Sequence, residues 1–163
     1  MKNLKILKMK KNKIIYVDLD GVLCNFAKAY LNDLEKCPTQ KYPQSQFGFF
    51  IKLEEIPGAI KAFKKLEEYF EVRILTRPSI YNLNSYTEKA YWVLEHLGFE
   101  TLERLDMSCD KSLHIGDYLI DDTDMHGQLD FKGEFIKFGS KEFPNWEYIV
   151  NYIFLKEFHI LPI

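Results

Sequence analysis

Two carboxylates two residues apart, Asp18 and Asp20, end the apolar run Ile14-Ile15-Tyr16-Val17, and the chain passes at once into Gly21-Val22-Leu23. Four β-formers running into acids and then a glycine read as a buried central strand that ends in a sharp turn. Acids so placed repel one another unless a cation or a proton lies between them. A hard divalent cation such as Mg²⁺, which takes oxygen ligands and keeps several waters, answers that requirement. Isolated Asp-x-Asp-Gly sequences are common in turns, so the weight falls on what the rest of the chain adds.

Thr76 closes the run Glu71–Thr76, Lys111 sits in the polar break Cys109–Ser112, and Asp121 and Asp122 close the run that starts at Tyr118. A threonine hydroxyl can donate to phosphate oxygens and a lysine ammonium can neutralise them. Arg77, beside Thr76, is the third candidate phosphate ligand. Acids from two strands can hold one cation, which makes Asp18, Asp20, Asp121 and Asp122 the candidate metal ligands. With the phosphate neutralised, the Asp18 carboxylate can attack phosphorus in line. Asp20 can then protonate the leaving oxygen and later deprotonate the attacking water. Alone, each residue has an ordinary role: Thr76 as a cap or turn former, Lys111 as a solvated charge, the acid pair as a cap. Their joint placement at strand ends favours the chemistry.

The elements that must position these groups follow from periodicity. Cys24–Lys36 has apolar residues at helical spacing (Phe26, Ala27, Tyr30, Leu31, Leu34). Cys37–Pro57 holds three prolines and the aromatics Tyr42, Phe47, Phe49 and Phe50, too irregular for one helix and too apolar for a disordered linker. Residues 24–56 are therefore expected to form a small helical cap over the strand ends. Helices are predicted over Ala59–Tyr69, Ser85–Leu97 and Asn145–Phe154. Strands are predicted over Glu71–Thr76, Leu102–Ser108, Leu113–Ile115, Tyr118–Asp122 and Glu134–Phe138, with a turn or short helix over Thr123–Leu129. Strands alternating with helices predict an α/β fold, a Rossmann-like doubly wound parallel sheet with right-handed crossovers. The core is expected over 1–23 and 57–163, with the cap inserted after the first strand. A parallel sheet sends every strand's carboxyl end to one edge, so the acids, Thr76 and Lys111 can meet there.

With 163 residues, 47% of them apolar and 28% charged, the composition is that of one ordinary globular domain. A net charge of −2 gives no basic field for a nucleic-acid polymer or an anionic membrane, and no apolar run approaches transmembrane length. Cys24, Cys37 and Cys109 are odd in number and lack metal-ligand spacing, which predicts reduced thiols in a cytoplasm. The lysine-rich leader Met1–Lys13 has no signal-peptide pattern and is expected to be a frayed end.

With these residues in place, the chain resembles the haloacid dehalogenase superfamily of phosphotransferases. The four signatures are matched by Asp18-Leu19-Asp20-Gly21-Val22, Thr76, Lys111 and Asp121-Asp122, in the family's order. More narrowly it resembles the 5′(3′)-deoxyribonucleotidases of the cytosolic type C and mitochondrial kind. That resemblance rests on Asp18 to Phe26, Phe49 to Ala59, Tyr86 to Val93, Asp110-Lys111 and Asp117 to Asp122. It implies an Mg²⁺-dependent phosphatase acting on (deoxy)nucleoside monophosphates, with Asp18 as nucleophile and Asp20 as acid/base. Asp122 is then the matched metal ligand beside Asp121, and Thr76 and Lys111 bind phosphate. Lys89 lines the substrate pocket, and Phe26 with Phe49 or Phe50 flanks the base and sugar. A homodimer is part of the same implication. Arg77 and Cys109 depart from the family's common serine and arginine, and the cap is shorter than in mammalian members. The alternatives are a phosphatase for another small phosphoester and a non-catalytic phosphoacceptor module. The module's acid pair comes first along the chain, whereas here it comes last.

Overall fold

The alternation of side chains along the first strand, β1 (Ile14–Val17), divides the molecule into two packed faces. Ile15 and Val17 point into the large core cluster, and Tyr16 points into a smaller one with Leu75, Leu119 and Phe131. The computed structural model describes residues 13–160, so the leader expected to fray lies, apart from Lys13, outside the described residues.

Five strands form one all-parallel sheet in the order β3-β2-β1-β4-β5. Here β2 is Glu71–Thr76, β3 Leu105–Met107, β4 Ile115–Asp121 and β5 Lys132–Lys137. The helices are α1 (Phe26–Lys36), α2 (Ala59–Glu67), α3 (Ser85–Leu97), the single turn α4 (Phe99–Leu102) and α5 (Trp146–Phe158). The predicted α/β class with a parallel sheet is the one observed. None of these helices is long and apolar enough to cross a membrane.

The boundaries moved where local signals compete. The two short strands expected over Leu113–Ile115 and Tyr118–Asp122 are one strand, β4, with an irregularity between Ile115 and Tyr118. Gly116 and Gly133 let the backbones approach there: a Cβ on Gly133 would lie 2.3 Å from the Gly116 carbonyl oxygen. The weak strand expected from Leu102 begins only at Leu105, because Phe99–Leu102 continues as a helical turn beyond Gly98. The turn or short helix expected over Thr123–Leu129 is a bend followed by a 3₁₀ turn, Gln128–Asp130, which starts at its end. α5 runs on to Phe158, with Asn145 capping its first turn through bonds from the Glu147 and Tyr148 N–H groups.

The segment between β1 and α2 leaves and rejoins the core through a narrow stem. The Asn25 N–H donates to the Glu54 carbonyl (2.7 Å) and the Ile56 N–H to the Leu23 carbonyl (2.8 Å). Between these ends lie α1 and a 3₁₀ turn, Pro43–Ser45. One face of α3 holds this segment down. The buried Glu88 carboxylate accepts the Gly48 N–H (2.8 Å) and the Phe50 N–H (3.0 Å), and the Trp92 indole donates to the Leu53 carbonyl (2.8 Å). Asn82 adds a bond to the Gln46 carbonyl. Glu88→Ala leaves two backbone N–H groups without an acceptor. It is expected to lower unfolding free energy by about 2–4 kcal/mol, measured as a lower urea midpoint with unchanged slope.

Candidate active site

β1 lies between β2 and β4, so the strand order reverses beside it, and the crevice beyond such a switch point is where open α/β sheets bind ligands. Asp18 follows β1, Thr76 ends β2, and Asp121 ends β4 with Asp122 next. The Asp18 N–H continues the ladder by donating to the Ile120 carbonyl (2.9 Å), which fixes the two acidic strand ends side by side. After Asp18 the chain winds into a tight loop in which Leu23 and Cys24 both donate to the Leu19 carbonyl. Gly21 has φ +77°, and a Cβ there would lie 2.1 Å from an Asp122 carboxylate oxygen. Glycine is therefore required both by the turn and by the approach of Asp122.

Lys111 is the hub. Its buried ammonium lies 2.8 Å from Asp18 Oδ1 and is hydrogen-bonded to Asp121 Oδ2. Burial pushes this ammonium toward neutrality, but Asp18 and Asp121 outweigh it and raise its pKa above the ordinary lysine value. A 3₁₀ turn capped by the Asp110 side chain places the lysine, and its N–H donates to the His126 carbonyl (2.8 Å). Gly127 (φ +85°) permits this packing, since a Cβ there would meet Asp110 Oδ1 at 2.2 Å and the Ser112 nitrogen at 2.8 Å. Asp121 also accepts the Thr123 N–H (2.9 Å) and the Gln128 side-chain amide (3.1 Å). Burial first, and Asp18 second, raise its pKa against the pull of Lys111.

A second buried ammonium, Lys89 from α3, donates to Asp20 Oδ2 (2.7 Å), Thr76 Oγ1 (2.9 Å) and the Arg77 carbonyl (2.5 Å). Burial raises the Asp20 pKa, opposed by Lys89 and assisted by Asp18, so the environment suits a group that carries a proton.

Several of these groups line a cavity of about 290 Å³. Among the predicted residues, Asp18, Asp20, Phe26, Phe50, Thr76, Arg77, Lys111 and Asp122 line it. Phe49 is fully buried behind Phe26 and Phe50 (ring centroids 5.4 and 5.2 Å away), and Lys89 is fully buried behind Asp20 and Thr76. Asp121 sits beneath Lys111 rather than in the cavity wall. Gln44, Ser79, His126 and Gln128 also line the cavity, and periodicity singled out none of them. Only Gly127, a glycine in a polar loop, hinted at the tight packing around Gln128.

The charges do not balance within the site. Four carboxyl groups (Asp18, Asp20, Asp121, Asp122) meet two buried ammonium groups (Lys89, Lys111), so the acids outnumber the buried cations, and burial raises the pKa of Asp20, Asp121 and Asp122. Carboxylate oxygens of Asp18, Asp121 and Asp122 lie within 4.8 Å of one another, and this all-oxygen donor set fits a hard divalent cation. Asp122 has no salt bridge among the described residues. Burial, then Asp18 and Asp121, push its pKa up to about 7. A carboxyl raised in the folded state destabilises the fold above its unfolded pKa of about 4, and the cost grows until the folded pKa is passed. Asp122→Asn is therefore expected to stabilise the protein in EDTA at pH 8, by roughly 1–3 kcal/mol. The gain should shrink toward zero as the pH falls to about 4, read by thermal melting across that range.

Residues 38–146, more than half of the chain, match the family described as 5′ nucleotidase, deoxy (Pyrimidine), cytosolic type C protein. A protein of Vibrio phage KVP40 named "Putative 5′(3′)-deoxyribonucleotidase" is 34% identical over 151 residues, which cover 86% of this chain and 84% of the phage protein. The human 5′(3′)-deoxyribonucleotidase of cytosolic type is 36% identical over 105 residues, 63% of this chain and 47% of the human protein. The mouse mitochondrial 5′(3′)-deoxyribonucleotidase is 28% identical over 168 residues, 83% of this chain and 71% of the mouse protein. With a family model matched over 38–146 and a relative 34% identical over 86% of the chain, the chain belongs to the cytosolic type C 5′ nucleotidase family.

Proposed function

We propose that this protein is an Mg²⁺-dependent phosphatase that hydrolyses the phosphoester of (deoxy)nucleoside monophosphates through an aspartyl-phosphate on Asp18. The observation that carries the reading is the pair of carboxylates two residues apart, each held by its own buried lysine, in one cavity: Asp18 by Lys111 and Asp20 by Lys89. Residues 24–56 act in this reading as a small cap, with 1–23 and 57–163 as the core.

In the first step an Asp18 oxygen attacks phosphorus, the phosphorus–ester oxygen bond breaks, and Asp20 gives its proton to the departing alkoxide. In the second step Asp20 takes a proton from water, the water oxygen attacks phosphorus, and the bond to Asp18 breaks to release phosphate. Lys111, with Thr76 and Arg77, binds the phosphate oxygens, and Lys89 keeps the Asp20 carboxyl aimed at the ester oxygen. Asp18, the Asp20 backbone carbonyl and Asp122, with Asp121 behind, would hold Mg²⁺, which when bound offsets charge on the phosphate. Phe26 and Phe50 supply apolar surface for the base and sugar. Three free thiols fit a reducing cytoplasm, and the reading includes a homodimer, which light scattering reads directly.

Phosphate release from dUMP, dTMP, UMP and p-nitrophenyl phosphate tests this reading. Release is expected to favour the deoxynucleotides, to stop with EDTA, and to fall by about a thousandfold or more in Asp18→Asn. Release that survives in Asp18→Asn removes the aspartyl-phosphate. Equal rates on all four esters remove the nucleotide preference.

A further inference from the structure

Four residues of the segment 24–56 line the cavity, and three of them, Phe26, Ala27 and Phe50, are apolar. The fourth is Gln44, whose side-chain Oε1 is buried without a hydrogen-bond partner among the described residues. A buried acceptor of this kind is normally completed by protein, water or ligand. The backbone around it is fixed rather than loose. The Pro43–Ser45 turn is closed by bonds from the Ser45 N–H to the Tyr42 carbonyl (2.9 Å) and from the Gln46 N–H to the Pro43 carbonyl (3.2 Å). Gln40 donates to the Tyr42 carbonyl and to Ser45 Oγ, Asn82 donates to the Gln46 carbonyl, and the Tyr42 ring stacks on Tyr81 at 4.1 Å between centroids. Both neighbours of Gln44 are thus tied down, while Gln44 itself lines the cavity and its buried amide oxygen has no partner among the described residues. A contact held in place before binding loses little entropy when a ligand arrives.

We propose that Gln44 is a specificity-determining residue whose amide hydrogen-bonds the polar edge of a nucleobase. This rests on the nucleotidase reading above and extends it. The acceptor calls for an N–H on the ligand, and an amide presents a donor beside its acceptor. A nucleobase edge offers that complementary pair, such as the ring N–H and adjacent carbonyl of uracil. A bare sugar phosphate offers no such planar edge. The wall of Phe26, Ala27 and Phe50 accepts the apolar surface of the ring, and Gln44 reads its edge. A site with a polar group in waiting discriminates against ligands that leave that group unpaired.

The test compares wild type with Gln44→Met, which keeps length and removes both amide functions, and with Gln44→Glu, which keeps only acceptors. kcat/KM is measured for dUMP and for 2-deoxyribose 5-phosphate, with melting temperatures as the check on folding. Gln44→Met is expected to lower kcat/KM for dUMP by roughly tenfold, mainly through KM, and to leave 2-deoxyribose 5-phosphate unchanged. Gln44→Glu is expected to follow Gln44→Met. An unchanged dUMP value, as for a site filled only by water, overturns the proposal, and so does an equal loss on both substrates. A second arm needs no turnover: calorimetric binding of dUMP and of inorganic phosphate to Asp18→Asn, with and without Gln44→Met. Weakening of dUMP by roughly tenfold with phosphate unchanged supports the proposal even if the wild type releases no phosphate, a result that would fail the catalytic reading alone. Absence of dUMP binding, or dUMP binding that ignores Gln44, overturns it.

Discussion

The ammonium of Lys111, buried between Asp18 and Asp121, is the interaction on which the rest of the site depends. Three carboxylates at the ends of two adjacent strands would otherwise repel one another in a place where water cannot screen them. One buried cation makes the arrangement tolerable without neutralising it. What remains is Asp122, a carboxyl at the cavity wall with no salt bridge among the described residues, and with Asp18 it leaves an oxygen donor set complementary to a divalent cation. The loop that follows β4 serves this lysine. Gly127 brings the His126 carbonyl to the Lys111 N–H, and Gln128 spans from the His126 N–H to Asp121 and Thr123.

The helix α3 couples the second half of the site to the segment above it. Glu88 and Lys89 are neighbours in sequence, yet they act in opposite directions. Glu88 holds backbone N–H groups at Gly48 and Phe50, and Lys89 holds Asp20 and Thr76. Trp92, one turn on from Glu88, holds the Leu53 carbonyl. α3 thereby registers the cavity roof against Asp20, with the Lys89 ammonium 5.0 Å from the centre of the Phe50 ring. Glu88 serves here to position backbone rather than to react.

The two departures from the common family pattern fall in different places. Arg77 lines the cavity beside Thr76, so the change from serine adds a cation to the cavity wall. Cys109 is exposed and lies outside the cavity wall. The first bears on the ligand and the second on the surface.

The sequence by itself determined the placement of the acids at strand ends, because a strand, a turn glycine and acids at spacing two form a local pattern. Asp18, Asp20, Gly21 and the acid pair were legible for that reason, as were the β2 and α3 boundaries, which follow from periodicity and from Gly98 at the helix end. Only the tertiary structure separated Asp121 from Asp122. Consecutive residues leaving a strand point to opposite sides, so one meets Lys111 and the other meets the cavity. Only it paired Lys89 with Asp20, 69 positions away, and joined Glu88 to Gly48, 40 positions away. Such pairs depend on how elements pack, and neither residue type nor spacing announces them. Gln44 belongs with these, since nothing in Tyr42-Pro43-Gln44-Ser45 marks an amide whose oxygen is left without a partner once the chain has folded.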